Sequence, residues 1–157
     1  MSNVAILRRH KMKSLLLFIL LGLLFLSGCS SIPSIAPNQL SSVSFKNNIT
    51  VVMFCKDMCP PCDTQASILF DLSKEFPKVK FVKVKAYNLL FEPTNETVVE
   101  KYNLKWTPTT VLLIDDHEVY RWITLHGAGQ IRPILQAASE GRIECTSVGC
   151  KIVPKRK

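Results

Sequence analysis

The chain has 157 residues, six cysteines and a formal net charge of +8 at pH 7. This length suits a single domain. Residues 1–28 carry four basic and no acidic residues, so the rest of the chain has a net charge of only +4. We therefore expect no nucleic-acid partner, because much of the positive charge belongs to one terminal segment.

The apolar run at 14–26 follows a basic stretch and ends in the sequence LSGC. A basic region, a short apolar core and small residues before a cut are typical of an export signal, whereas a transmembrane anchor needs a longer core. LSGC resembles the lipobox of bacterial lipoproteins. The resemblance implies that residues 1–28 are a signal peptide and that a lipid on Cys29 anchors the protein to the membrane. Met12 would itself begin such a signal, so residues 1–11 are also consistent with a start codon placed too early.

The predicted location is the bacterial cell envelope, facing the periplasm. Ser30 after the lipidated cysteine favours the outer membrane by the same resemblance. Residues 29–48 are rich in Ser, Pro and Asn and are predicted to form a flexible tether. Disulfides persist in an oxidising compartment, and the five cysteines other than Cys29 leave one thiol unpaired.

The rest of the chain alternates between strand and helix patterns. The predicted elements are a strand at 49–54, a helix at 64–76, a strand at 79–86, a helix at 96–102, strands at 109–114 and 119–125, and a helix at 129–141. The 79–86 strand alternates with lysines, which predicts one solvent-exposed face. Pro133 suits the last helix only in its first turn. The order β-α-β-α-β-β-α predicts an α/β domain at 49–141, with a mixed central sheet flanked by helices.

Cys59 and Cys62 form a CPPC motif between the first strand and the first helix. Two cysteines separated by two residues across the first turn of a helix bring their sulfurs within bonding distance. Free N–H groups and the helix dipole favour a thiolate on the first of them. Cys59 is therefore predicted to attack a disulfide and Cys62 to resolve the mixed disulfide. Pro60 and Pro61 lack N–H groups, which early helix positions tolerate.

Residues 49–139 resemble the thioredoxin family. The resemblance rests on Phe54 ahead of the motif, on CPPC between strand and helix, and on the segment YNLKWTPT at 102–109, which looks like the loop that carries a cis-proline. It implies a thioredoxin-like fold. A cis Pro108 would place the backbone of Thr107 beside the Cys59 sulfur, where it would hydrogen-bond an extended substrate.

Further site residues follow from the same resemblance. The implied substrate-binding residues are Pro60, Pro61, Trp106, Thr107 and Pro108; Trp106 either rims the substrate groove or packs inside. Two further positions are compared with the family pattern, one that departs from it and one that matches it. Met53 stands where many thioredoxins place a buried acid, and Lys83, which matches a strand lysine of the family, is expected to face solvent.

Cys55 raises a second possibility. CKDMCP resembles the CxxxCP motif of Sco-type copper chaperones, in which two thiolates and a distant histidine bind copper. Soft sulfur ligands suit Cu(I). The alternative is therefore a copper chaperone that uses Cys55, Cys59 and His126, since His117 lies in a predicted surface turn. Cys62 argues against copper because CPPC is already a complete dithiol, so the main hypothesis has no cofactor and no metal.

Cys145 and Cys150 lie in a basic C-terminal tail at 142–157, where they are predicted to form a structural disulfide. Cys55 is then the odd thiol. The sequence thus predicts a membrane-anchored thiol:disulfide oxidoreductase. The reductase or isomerase direction is favoured because no histidine lies between the two cysteines of CPPC. The expected partners are exported cysteine-containing proteins and, for a reductase, a membrane electron donor. A non-catalytic lipoprotein that uses the fold as a binding module is the third hypothesis.

Overall fold

The computed structural model describes residues 31–40, 48–146 and 149–154. The predicted signal peptide, Cys29 and Ser30 lie outside the described residues. In chain order the elements are β1 (Ser34–Ile35), α1 (Pro37–Leu40), β2 (Ile49–Lys56), α2 (Pro60–Glu75), β3 (Val79–Tyr87), α3 (Glu96–Lys101), β4 (Thr109–Ile114), β5 (His117–Ile123), α4 (Ala128–Ser139), β6 (Ile143–Thr146) and β7 (Gly149–Ile152).

Five strands form one mixed sheet in the order β1-β3-β2-β4-β5. β3 runs parallel to β1 and β2, whereas β4 is antiparallel to both β2 and β5. β2 is central, and its residues 50–55 are all buried because helices cover both sides of the sheet. The predicted α/β class with a mixed central sheet is confirmed.

Each face of the sheet has its own apolar layer. On one face, α2 and α4 pack through Leu69 and Leu135 against side chains such as Val51 and Phe81. The other face is covered by α1 and α3. The larger first layer also contains Cys55, Cys59 and Cys62, so all three cysteines lie on the same side of the sheet.

Most predicted elements are present with ends shifted by a few residues. The strand at 109–114 has the predicted bounds. The expectation of one wet face on β3 is wrong, because Phe81 and Val82 are both buried, one in each layer. Pro133 lies in the second turn of α4, not in the first as expected. It is exposed there, so water can hydrogen-bond the Gly129 carbonyl that would otherwise accept from residue 133.

The prediction of a flexible tether over 29–48 is wrong for residues 31–40. Ser34 and Ile35 pair with β3, and the Lys83 amide donates to the Pro33 carbonyl at 2.8 Å. Leu40 is buried in the layer that contains α3. Buried apolar side chains and backbone pairing therefore attach this segment to the sheet.

The C-terminal segment forms a β6–β7 hairpin, in which Cys145 and Cys150 pair across the strands and form a disulfide. The Val153 amide donates to the Arg142 carbonyl at 2.8 Å, which closes the open end of the hairpin. Among the described residues, no helix is long and apolar enough to cross a membrane.

Candidate active site

Cys59 and Cys62 form a disulfide at the start of α2, with their Cα atoms 5.2 Å apart. Cys59 is the N-cap residue, and Pro60 and Pro61 occupy the first positions of the helix. Since neither proline has an N–H group, the first amide of the helix is that of Cys62, which donates to the Cys59 carbonyl oxygen at 2.8 Å and also to the Cys59 sulfur at 3.3 Å. That amide and the helix dipole would stabilise a thiolate on Cys59 after reduction.

Exposure differs among the residues around the disulfide. Both sulfur-bearing side chains are mostly buried, Cys62 more than Cys59. Met58, just before the disulfide, is 81% exposed and has a positive φ of 47°. Pro60 and Pro61 are also exposed. A substrate can therefore approach from the side on which the chain turns into α2.

The 106–108 loop lies at the same end of the sheet as the disulfide. Phe54 of β2 pairs with Thr109 of β4, so the residues after Phe54 and those before Thr109 lie at one sheet end. The Thr107–Pro108 peptide bond is cis. Trp106 is 61% exposed and does not pack into the core.

A second loop borders the 106–108 loop. The Thr124 amide donates to the Pro108 carbonyl at 2.9 Å, and the His126 amide donates to the side-chain oxygen of Gln65 at 2.8 Å. Gln65 is completely buried on α2, and its Nε2 has no partner among the described residues. It was missed in the sequence, although its polar side chain three residues after Cys62 interrupts the apolar face of the helix.

Position 53, where the family pattern has a buried acid, is part of the apolar core in this chain. Met53 is fully buried and pairs with Lys83 across β2 and β3. Lys83 is half-buried and lines a pocket of about 340 Å³ together with Cys62. The expectation that Lys83 simply faces solvent is therefore wrong. Its ammonium group lies on the disulfide side of the sheet, with no carboxylate in the Met53 position.

Cys55 is the one free cysteine among the described residues, and it is buried. Its thiol donates a long hydrogen bond of 3.5 Å to the Val84 carbonyl. Burial raises the pKa of the Cys55 thiol above its ordinary value, while the nearby Lys83 ammonium group acts in the opposite direction. Cys55 lines the same pocket as Cys59 and Cys62.

The ligands considered for copper are not brought together. His126 does not line the pocket that contains Cys55 and Cys59, and its Nδ1 lies 3.2 Å from the Thr124 carbonyl oxygen. His117 is exposed at the start of β5. Across residues 31–40, 48–146 and 149–154, no group of three His, Cys, Asp or Glu side chains is placed to bind a metal ion.

Several solved structures that are similar to this chain are thioredoxins. Thioredoxin from Fasciola hepatica is 27% identical, with a TM-score of 0.55, over 67% of this chain and 97% of that protein. Chlamydomonas reinhardtii thioredoxin f2 is 23% identical, with a TM-score of 0.57, over 67% and 94%. Spinach chloroplast thioredoxin f is 17% identical, with a TM-score of 0.60, over 70% and 95%.

No protein-family model and no curated protein matches the chain. The structural similarity covers nearly the whole length of each thioredoxin, so the complete fold is shared and not one of its parts. A thioredoxin-like fold with a close cysteine pair supports thiol:disulfide oxidoreductase chemistry in general. The mixed sheet, the disulfide at the start of α2 and these structural neighbours together identify the chain as a protein with the thioredoxin fold and a CPPC site that is consistent with the thioredoxin family.

Proposed function

We propose that the protein is a membrane-anchored thiol:disulfide oxidoreductase that acts on exported proteins with cysteines. The observation that carries the proposal is the Cys59–Cys62 disulfide at the N-terminus of α2, with the Cys62 amide directed at the Cys59 sulfur. A sulfur in that position is the better leaving group and the better stabilised thiolate of the pair.

In the reducing direction, the Cys59 thiolate attacks one sulfur of a client disulfide. The Cys59–client bond forms, the client disulfide breaks, and the released client sulfur takes up a proton. Cys62 then attacks Cys59, which forms the Cys59–Cys62 disulfide and releases the second client thiol. Two electrons pass to the client, and the proton that Cys62 loses goes to the leaving client sulfur. Cys62 is the less exposed of the two cysteines, which favours Cys59 as the sulfur that meets the client.

The reductase or isomerase direction is the one we favour. Pro60 and Pro61 add no charge between the cysteines, and no histidine is present there to stabilise the thiolate further. A less stabilised thiolate makes the disulfide a weaker oxidant. A reductase in the periplasm needs an electron donor, which we propose to be a membrane protein.

The anchor is proposed from LSGC, with the lipid on Cys29 and the protein in the cell envelope. Metabolic labelling with a tritiated fatty acid should label the wild type and not Cys29→Ser. The Cys29→Ser variant should also leave the membrane fraction after mild washing. Equal labelling of both proteins would contradict the anchor without touching the redox proposal.

Activity is tested with the full-length protein in detergent by reduction of insulin with dithiothreitol as the electron source. We expect Cys59→Ser to abolish catalysis and Cys62→Ser to accumulate mixed disulfides with insulin. The control is Cys145→Ser/Cys150→Ser, which removes the other disulfide and should retain catalysis. An active Cys59→Ser variant would disprove the proposal.

The direction is tested in intact cells. Acid quenching, alkylation of free thiols and peptide mass spectrometry give the redox state of each cysteine. Cys59 and Cys62 found mainly reduced, with Cys145–Cys150 bonded, would support a reductase or isomerase. A mainly oxidised Cys59–Cys62 pair would mean that the protein donates disulfides or has no reductant.

A further inference from the structure

Three cysteines, not two, line one pocket. Cys55, Cys59 and Cys62 share a cavity of about 340 Å³ and belong to the same apolar layer of the sheet. Two of them form the disulfide, and Cys55 remains a thiol. The proposed function gives Cys55 no role, although no other free thiol among the described residues is close to the disulfide.

The backbone between Cys55 and Cys59 turns back on itself. Cys55 is the second-last residue of β2, Asp57 and Met58 form a turn, and Cys59 caps α2. The positive φ of Met58, 47°, marks the point where the chain reverses. Only three residues separate the two cysteines, so closing a ring between them costs little chain entropy.

The Cys55 side chain is held weakly. Its one hydrogen bond, to the Val84 carbonyl, is 3.5 Å long, and a thiol is a weak donor. The pocket beside it provides space for the side chain to rotate. Cys55 can therefore leave its present contact without breaking the core, which a fully enclosed thiol could not do.

Charged groups in the pocket act on Cys55 in both directions: burial, the largest effect, and the carboxylates of Asp57 and Asp63 raise the pKa of the thiol, whereas the Lys83 ammonium group lowers it. The ammonium group of Lys83 faces it and has no ion pair with another described residue. Lys85, on the same strand, is 3.3 Å from Asp57 and is therefore partly neutralised. Met53 supplies no carboxylate beside Lys83, while Asp57 and Asp63 line the same pocket.

We propose that Cys55 is a second resolving thiol for mixed disulfides on Cys59, a role that rests on the proposed oxidoreductase function. Cys55 attacks the Cys59 sulfur of the Cys59–client disulfide. The Cys55–Cys59 bond forms, the Cys59–client bond breaks, and the client sulfur leaves with the proton that Cys55 loses. Cys62 then attacks Cys59, which forms Cys59–Cys62 and returns Cys55 to a thiol. The client disulfide is the only oxidant in the sequence.

The test uses full-length Cys62→Ser protein in detergent, and every variant also carries Cys145→Ser and Cys150→Ser so that this second cysteine pair cannot consume the reagent. The protein is fully reduced and then treated with an equimolar amount of an aryl disulfide. The aryl group first attaches to Cys59. We expect a second aryl thiol to be released and peptide mapping to find a Cys55–Cys59 disulfide in most molecules. The matched control, Cys55→Ser/Cys62→Ser, should retain the aryl group on Cys59 and release at least tenfold less of the second thiol.

The outcomes separate this inference from the function on which it rests. If Cys62→Ser retains the aryl group on Cys59 while Cys55 stays alkylatable, the relay is wrong and the oxidoreductase proposal stands. If Cys59 takes up no aryl group in any variant, both fail. Circular dichroism of each variant checks folding, and Cys62→Ala serves as a second background with the same expected result.

Discussion

Lys83 and Cys55 show how one charge acts on one thiol. Burial is the larger effect and raises the pKa of Cys55, while the ammonium group of Lys83 partly offsets it. The two residues come from neighbouring strands and line the same pocket. The reactivity of Cys55 should therefore depend on Lys83 more than on any lysine that lies on the opposite face of β3.

Lys83→Gln should slow alkylation of Cys55 by about threefold at pH 8, because removing the positive charge raises the pKa of the thiol further and lowers its thiolate fraction. The rate is measured with iodoacetamide while Cys59–Cys62 is oxidised. In both proteins the alkylation rate should keep rising as the pH passes 9.0, the ordinary pKa of a cysteine thiol, because the pKa of Cys55 is higher. Lys80→Gln is the control, since Lys80 is exposed on the same strand. Equal rates in all three proteins would exclude the effect.

Gln65 joins α2 to the loop that borders the cis-proline. Its Oε1 accepts from the His126 amide, and this loop in turn donates from Thr124 to Pro108. The Gln65 side chain is fully buried, and its hydrogen bond from the His126 amide is partly buried. A buried amide left without a partner costs about 1–3 kcal/mol.

Gln65→Ala should lower the free energy of unfolding by about 2–4 kcal/mol, from the lost acceptor and the cavity together. Urea denaturation measures the change. Amide hydrogen exchange at His126 should become faster in the variant, which a general loss of packing elsewhere would not produce selectively. Gln136→Ala is the matched control, because Gln136 is exposed on α4 and should change stability by less than about 0.5 kcal/mol.

The two redox cysteines of the site could be predicted from the sequence, but the residues that surround and position them could not. CPPC at a strand-to-helix junction points to a dithiol because its spacing has a chemical meaning. Gln65 and Lys83 have no such spacing. Their positions depend on which strand pairs with β2 and on which loop reaches α2, and both are decided by contacts between residues far apart in the chain.

At the scale of elements, a bidentate ion pair joins the last residue of α2 to the second turn of α4. Arg132 of α4 donates from Nε and Nη2 to the carboxylate of Glu75 on α2, at 2.7 and 2.8 Å. The hydrogen bond from Arg132 lowers the pKa of Glu75 below its ordinary value. Both side chains are over 40% exposed, so the pair acts in water and is screened by salt.

Glu75→Gln should lower Tm slightly at pH 7 and have no effect in acid. A carboxylate whose pKa is lowered by folding stabilises the protein above its unfolded value, here 4.5, and loses this contribution as the pH falls through the lower folded value. Thermal unfolding of both proteins from pH 7 down to pH 3 measures it. Added salt should also reduce the difference at pH 7. A constant difference across the range would assign the effect to packing.

The elements themselves were largely predictable because their apolar periodicity is strong. The apolar run at 109–114 predicts a buried strand with the correct bounds. The expectation that Pro133 lies in the first turn of α4 was wrong. A proline lowers the expectation of helix, but here the second turn is exposed, so water can hydrogen-bond the carbonyl that Pro133 leaves without an amide partner. Which face a helix exposes is a property of the packed molecule.

At the scale of the whole molecule, the N-terminal segment completes the sheet. β1 lies at its edge beside β3, and α1 places Leu40 against the second apolar layer. The sequence of this segment is rich in Ser, Pro and Asn, so local composition predicted a tether. Two paired residues and a few buried side chains are too short a signal to find without the sheet on which they pack.

Leu40→Ala should lower the free energy of unfolding by about 2–4 kcal/mol, since the Leu40 side chain is 3% exposed. A residue in a free tether would have no effect. Urea denaturation of the full-length protein measures the change, and Asn38→Ala in the same segment is the control at an exposed position. A change below 0.5 kcal/mol in Leu40→Ala would mean that the segment is not part of the folded unit.

β1 attaches the N-terminal segment to the sheet that carries the site. If Cys29 carries a lipid as proposed, the chain from Cys29 to Ser34 spans at most about 17 Å when fully extended. Ser34 also lines the pocket that contains the three cysteines. The short connection would then hold the active site near the membrane surface. Client proteins would have to come to that surface, and an electron donor would have to present its thiols within about a few nanometres of the lipid head groups.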